Sequence, residues 1–192
     1  MRLAAIATLA CCLAAGAVPA FADQPPLRPT RDVDVTYRAT AGGQPADARV
    51  LEQRVRWLVA AHLMRIDPPT TGLFVIIDYV ARRMNVVRES NRSVIEMAAP
   101  EDMAGMAASP RRGGYTRHGA DIVAGLPCTD WQTADRDGRP VLVCITDDGV
   151  LLRASSGDKI LVSATSVRFA PQDPAAFRIP ADYTHRSAGA AR

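Results

Sequence analysis

The turn markers between residues 125 and 170 constrain this chain most tightly. Asp-Gly at 137–138 and again at 148–149 divides the text into CTDWQTA, PVLVCIT, VLLRASS and KILVSATSVRF. Asp-Gly tolerates the left-handed backbone that tight hairpin turns require, so each pair marks a reversal between neighbouring strands. Connections this short leave no room for the helical crossover that joins parallel strands. A doubly wound sheet is excluded, and an antiparallel meander is expected.

The preceding text carries the same signal. RDVDVTYRAT sets Val33, Val35 and Tyr37 against Asp32, Asp34 and Thr36, the period-2 pattern of a half-buried strand. RVLEQRVRWLV fits helical spacing through Leu51, Val55, Leu58 and Val59, and strand spacing through Val55, Trp57 and Val59; we read it as a strand. AHLMRID, GLFVIIDY, ARRMNVVRES and RSVIEM follow as further strands. PEDMAGMAASP, bounded by Pro100 and Pro110, has the start and stop signals of one short helix. The expectation is about nine to eleven strands and that one helix, in a single domain. The fold class expected is mainly β: a curved antiparallel sheet forming a half-open barrel with the short helix as lid.

Residues 1–22 read as a secretory signal peptide. Met1-Arg2 precedes LAAIATLACCLAAGAV, and Ala20 and Ala22 stand at −3 and −1 of a cut after Ala22. The apolar run is too short for a spanning helix, and Gly16 and Pro19 break it. Lipidation at Cys11 or Cys12 is the rival processing route. Removing 22 residues from the 192 leaves 170, enough for one domain with a substantial core. DQPPLRPT, residues 23–30, is expected as a disordered lead-in, residues 31–185 as the domain, and 186–192 as a frayed tail. No later run is long and apolar enough to span a membrane, and the expected location is periplasmic or secreted.

Two cysteines survive cleavage. Cys128 and Cys144 lie on either side of the DRDG turn, so facing strands of a hairpin bring them within bridging range. An exported protein with one such pair is expected to carry a disulfide. Thioredoxin-type chemistry needs C-x-x-C, which is missing, and His62, His118 and His185 have no metal-ligand spacing. Apart from Lys159, all 23 Lys and Arg residues are arginine. They are scattered and nearly balanced by 20 acids, so no nucleic-acid partner is expected.

Motifs for nucleotide, serine-nucleophile and zinc-protease chemistry are absent from the text. Asp135 and Asp137 resemble the start of a calcium loop, but Thr146 stands where its bidentate acid belongs, and a hairpin turn is the plainer reading. Asp32 and Asp34 share a strand face, as solvated carboxylates commonly do. No catalytic residue and no cofactor is expected.

What remains is an excess of apolar sheet surface. GLFVIIDY is apolar at successive positions, so both faces of its strand need cover, and a ten-residue helix is a small lid. Methionines gather near that lid, and methionine adapts to varied apolar guests. The candidate lining of a concave groove is Trp57, Phe74, Ile76, Met84, Met97, Met103 and Met106, with Cys128–Cys144 bracing the rim. A monomeric, non-enzymatic binder of a lipid, acyl chain or lipidated partner is expected. A cell-envelope protein-interaction module with a filled core is the alternative.

The texts GADIVAGLPCTDWQ, VCITDDGVLLR and PAAFRIPADY resemble the later strands of the periplasmic lipoprotein-carrier half-barrels, the LolA/LolB-like proteins. The resemblance spans about residues 31–183 and rests on turn-like motifs. It implies an open β-barrel wrapped on helices, with an apolar cavity for lipid. Those carriers begin with a long helix, whereas this chain opens its domain on a strand.

Overall fold

The computed structural model describes residues 24–40, 50–99, 114–135 and 137–187. The expected signal peptide with Cys11 and Cys12, the expected lid helix with Met103 and Met106, and the last residues of the expected tail lie outside the described residues.

Among the described residues, twelve strands form one sheet. They are β1 (Val33–Thr40), β2 (Val50–Leu58), β3 (Leu63–Asp67), β4 (Leu73–Asp78), β5 (Arg83–Arg88), β6 (Ser93–Ala98), β7 (Thr116–Val123), β8 (Leu126–Ala134), β9 (Pro140–Ile145), β10 (Leu151–Ser156), β11 (Lys159–Phe169) and β12 (Thr184–Ser187). Their order is β12-β6-β5-β4-β3-β2-β1-β11-β10-β9-β8-β7. Two meanders are therefore joined at the centre, where β1 pairs with β2 on one side and β11 on the other. Every strand read from the sequence is present, including the ambiguous β2. Arg186 and Ser187, expected in the frayed tail, instead belong to β12, which pairs parallel with β6. The Thr184 N–H donates to the Arg92 carbonyl oxygen at 2.8 Å, which starts that ladder.

Several hairpins turn without glycine. The β2–β3 and β5–β6 connections are single 3-10 turns, Val59–Ala61 and Glu89–Asn91, each closed by a left-handed residue, His62 or Arg92. The Asp-Gly hairpins form as the sequence predicts. Asp135 accepts from the Asp137 and Arg139 N–H groups, both at 2.9 Å, and Gly138 takes the positive φ.

The sheet curls mainly on one side of β1. Register shifts occur in the β1–β11, β11–β10, β10–β9 and β7–β8 ladders, whereas the ladders from β2 to β6 run regularly. An extra residue in one strand bends and twists it. The result is that β7, at the edge, returns to within 8 Å of β11 although three strands lie between them.

Each face has its own core. On the concave face one row of directly opposed residues crosses seven strands: Phe169, Val33, Trp57, Met64, Ile77, Met84 and Met97. On the convex face Phe74, Ile76, Val87 and Val94 form a separate cluster, closed by Phe177, Ile179 and Tyr183 of the C-terminal segment. The second apolar face of β4 is thus covered by the 3-10 turn Pro174–Phe177 and the residues after it. The Arg65 guanidinium donates to the Ala176 carbonyl oxygen at 2.6 Å and lies over the Phe74 ring at 3.9 Å, fastening that cover.

Candidate functional site

The concave face is lined with aromatic rings. Trp57 is 5% exposed and stacks on Tyr79, with centroids 5.4 Å apart and planes within 6°. Tyr37 donates its hydroxyl to the Leu151 carbonyl oxygen at 2.6 Å, tying β1 to β10 across β11. Burial pushes this phenol well above the ordinary tyrosine range, so it stays a donor at any physiological pH.

Residues 24–31, most of them expected as a disordered lead-in, lie across this face as a strap. Pro25 and Pro29 are buried, and Leu27 packs on the cluster of Trp131, Val141, Val143 and Ile145. The polar ties converge on one turn residue. The Thr30 N–H donates to the Asp148 carbonyl oxygen at 3.0 Å, the Thr30 hydroxyl to its carboxylate at 3.2 Å, and Arg31 pairs with that carboxylate at 2.7 Å. Two guanidinium groups complete the seat, Arg28 over the Tyr79 ring at 4.4 Å and Arg31 over Phe169 at 3.7 Å. Beneath the strap lies a crevice of about 20 Å³ bounded by Pro26, Leu27, Pro29, Tyr37, Trp57, Ile145, Gly149, Val150 and Leu151. It has room for about one water. Trp57 and Ile145 both border it, though four strand spacings, about 19 Å on a flat sheet, separate β2 from β9. Only a face that closes inward brings them together, which makes this the concave side.

Gly149 is what lets the strap approach so closely. Its φ is +81°, and an added Cβ would run into the Arg28 carbonyl oxygen. A glycine selected by the turn therefore also serves as the floor beneath a second segment.

The proposed lining residues separate. Trp57 belongs to the concave core, and Met84 packs against it, with Met97 directly opposite Met84. Phe74 and Ile76 point the other way and are buried under the C-terminal segment, so the structure does not bring them to the concave face. The reason is strand periodicity: Val75 and Ile77 take the concave side of β4, and their neighbours take the other. The disulfide forms as expected between Cys128 of β8 and Cys144 of β9, with Cα atoms 5.4 Å apart. Cys144 lies opposite Asp130, so the bridge runs diagonally across the ladder.

Behind the concave face, Asp32 and Asp34 have separate work. The Asp32 carboxylate accepts from the Val59 and Gln172 N–H groups at 2.8 and 2.9 Å. Asp34, 8% exposed, accepts a bidentate pair from Arg54 and a third bond from Arg168 at 3.2 Å. The Arg54 bonds hold its carboxyl below the usual aspartate range despite burial. Burial would raise Asp67, but Arg65 and Arg56 outweigh it and hold that carboxyl low as well. The Asp34 and Asp67 carboxylates are pinned as anions by arginine and act as sheet fasteners.

No family model matches the chain, and no curated protein does. Among solved structures, an uncharacterized conserved protein from Thermus thermophilus is similar with a TM-score of 0.57 and 13% identity, over 82% of this chain and 90% of that one. MucB in the Pseudomonas aeruginosa MucA/MucB complex is similar with a TM-score of 0.52 and 13% identity, over 80% of this chain. That match spans only 57% of the other chain's length. At such identities the likeness is one of fold, an open curved sheet in the form of a half-barrel.

Proposed function

We propose that this chain is a non-enzymatic binding protein of the cell envelope that receives a protein partner on the concave face of its half-barrel. One observation carries the reading: the aromatic concave face is covered by a peptide segment that joins no strand ladder. A face covered this way suits an extended polypeptide, and the crevice beneath the strap has room for about one water. The Cys128–Cys144 bridge supports an oxidising compartment, in keeping with export through residues 1–22. MucB, solved as a complex with MucA, offers a parallel in the same fold.

A second reading keeps the lipid or acyl guest. It is favoured by Met64, Met84 and Met97, which share one transverse row on the concave side. Two assays separate the readings. Affinity capture from envelope extract, followed by mass spectrometry, should return a stable protein partner with no co-purifying lipid. Displacement of a fluorescent fatty-acid probe, with no protein captured, would reverse the preference.

A further inference from the structure

The strap has the chemistry of a bound peptide ligand. Its sequence, QPPLRPTR, holds three prolines, and Gln24, Pro25 and Arg28 each directly precede one of them. Proline fixes its own φ near −65°, and the residue before it is pushed to extended backbone. The segment is therefore stretched before it docks, and docking costs it little conformational entropy. Its seat matches the recurring mode for such segments, a groove lined by aromatic rings. Trp57 and Tyr37 border the crevice beneath Pro26 and Pro29. Tyr79 and Phe169 take the two arginines on their faces, and Asp148 takes the hydroxyl and the second arginine's charge.

The attachment is also of the detachable kind. No residue of the strap is a strand partner; Thr30 and Arg31 tie to one turn aspartate, Arg28 and Arg31 lie over ring faces, and Leu27 packs on the apolar floor. We infer that the concave groove is a receptor for an extended, proline-rich segment with basic flanks, and that residues 24–31 are its resident occupant, displaced by a partner's segment of the same chemistry. The inference rests on the protein-partner reading above and adds to it what the partner presents.

Two changes confined to the strap test it without touching the groove. One is Thr30→Ala with Arg31→Ala, which removes both side-chain ties to Asp148; the other is Leu27→Asp, which sets a carboxylate against the apolar floor. The purified full chain and both variants are titrated into fluorescein-labelled QPPLRPTR and, as control, QAALRATR. Anisotropy reports binding, acrylamide quenching of tryptophan reports strap release, and far-ultraviolet circular dichroism reports folding. The expected result is stronger quenching and probe binding about tenfold tighter in the variants. That is the factor for a strap that leaves about one molecule in ten open. QAALRATR is expected to bind about tenfold more weakly than the probe in every case, since its backbone is not pre-extended.

Folded variants with unchanged quenching overturn the inference, as do variants that bind the probe no tighter than the unaltered chain. Equal binding of QAALRATR overturns it too. Unfolding of both variants makes the strap part of the core and also overturns it. Envelope capture with the same variants keeps the two levels apart. A protein partner retained by variants that ignore the peptide removes only the proline-rich groove, whereas no partner and no peptide removes the broader reading as well.

Discussion

Asp34 shows how much one buried residue can organise. Its carboxylate gathers Arg54 and Arg168 from the strands on either side of β1, so it fastens the joint between the two meanders. Both arginines are about half exposed or more, which discounts the charge contribution. Asp34→Asn should cost about 1–2 kcal/mol in urea unfolding at neutral pH. The pH dependence has a definite sign. The folded carboxyls of Asp34 and Asp67 are held below 3.8, so their stabilisation is complete above that value and is lost as pH falls through the lower folded values. The urea midpoint should therefore fall on acidification below about pH 4, and less steeply in Asp34→Asn. An equal slope in the variant would remove Asp34 from this role. Gly149→Ala belongs to the same scale. It strains a positive φ and drives a methyl group into the Arg28 carbonyl oxygen, so tryptophan quenching should rise as the strap lifts.

At the scale of elements, the C-terminal segment is the clearest case of structure acting at a distance. Phe177 fills the convex cluster over Phe74, Ile76, Val87 and Val94. Phe177→Ala should lower stability by about 3–4 kcal/mol and free β12, seen as rapid amide exchange over residues 184–187. Retained protection there would show that β12 holds without the ring. This cover also marks the boundary of what a reader of the sequence could see. The strands were legible, because alternation, β-branched runs and Asp-Gly turns are local signals. The excess of apolar surface on GLFVIIDY was legible too. Its cover was not, because FRIPADY gives no periodic signal and meets β4 about a hundred residues away. Trp57 and Phe74 looked equivalent as oily residues. They part only when the β2–β3 and β3–β4 registers assign them to opposite faces. The strap hid for a related reason: proline-rich polar text predicts no partner, and its seat depends on Asp148 and Gly149, more than a hundred residues later. The scattered arginines became meaningful only in space, where Arg28, Arg31 and Arg65 cap rings.

At the scale of the whole molecule, the disulfide staples the more strongly curved end of the sheet. It closes a loop of 16 residues between β8 and β9, and its loss should cost about 3 kcal/mol. Reduction of the native protein and Cys128→Ser with Cys144→Ser should shift the urea midpoint by the same amount. A midpoint unmoved by either treatment would make the bridge dispensable. The curl itself should survive, since the register shifts that bend β11 and β10 lie in ladders of their own.

The central strand β1 precedes its second partner, β11, by more than a hundred residues in the chain. β1 waits for Lys159–Phe169 before its second edge is paired, and the convex side of β4 stays uncovered until Phe177 arrives. A nascent chain stopped anywhere short of these residues exposes both an open strand edge and an oily sheet, the two hazards that drive chains to stick together. Burial of β1 and β4 is therefore tied to residues that follow them by about a hundred positions or more, and a truncation before Lys159 should leave both hazards exposed.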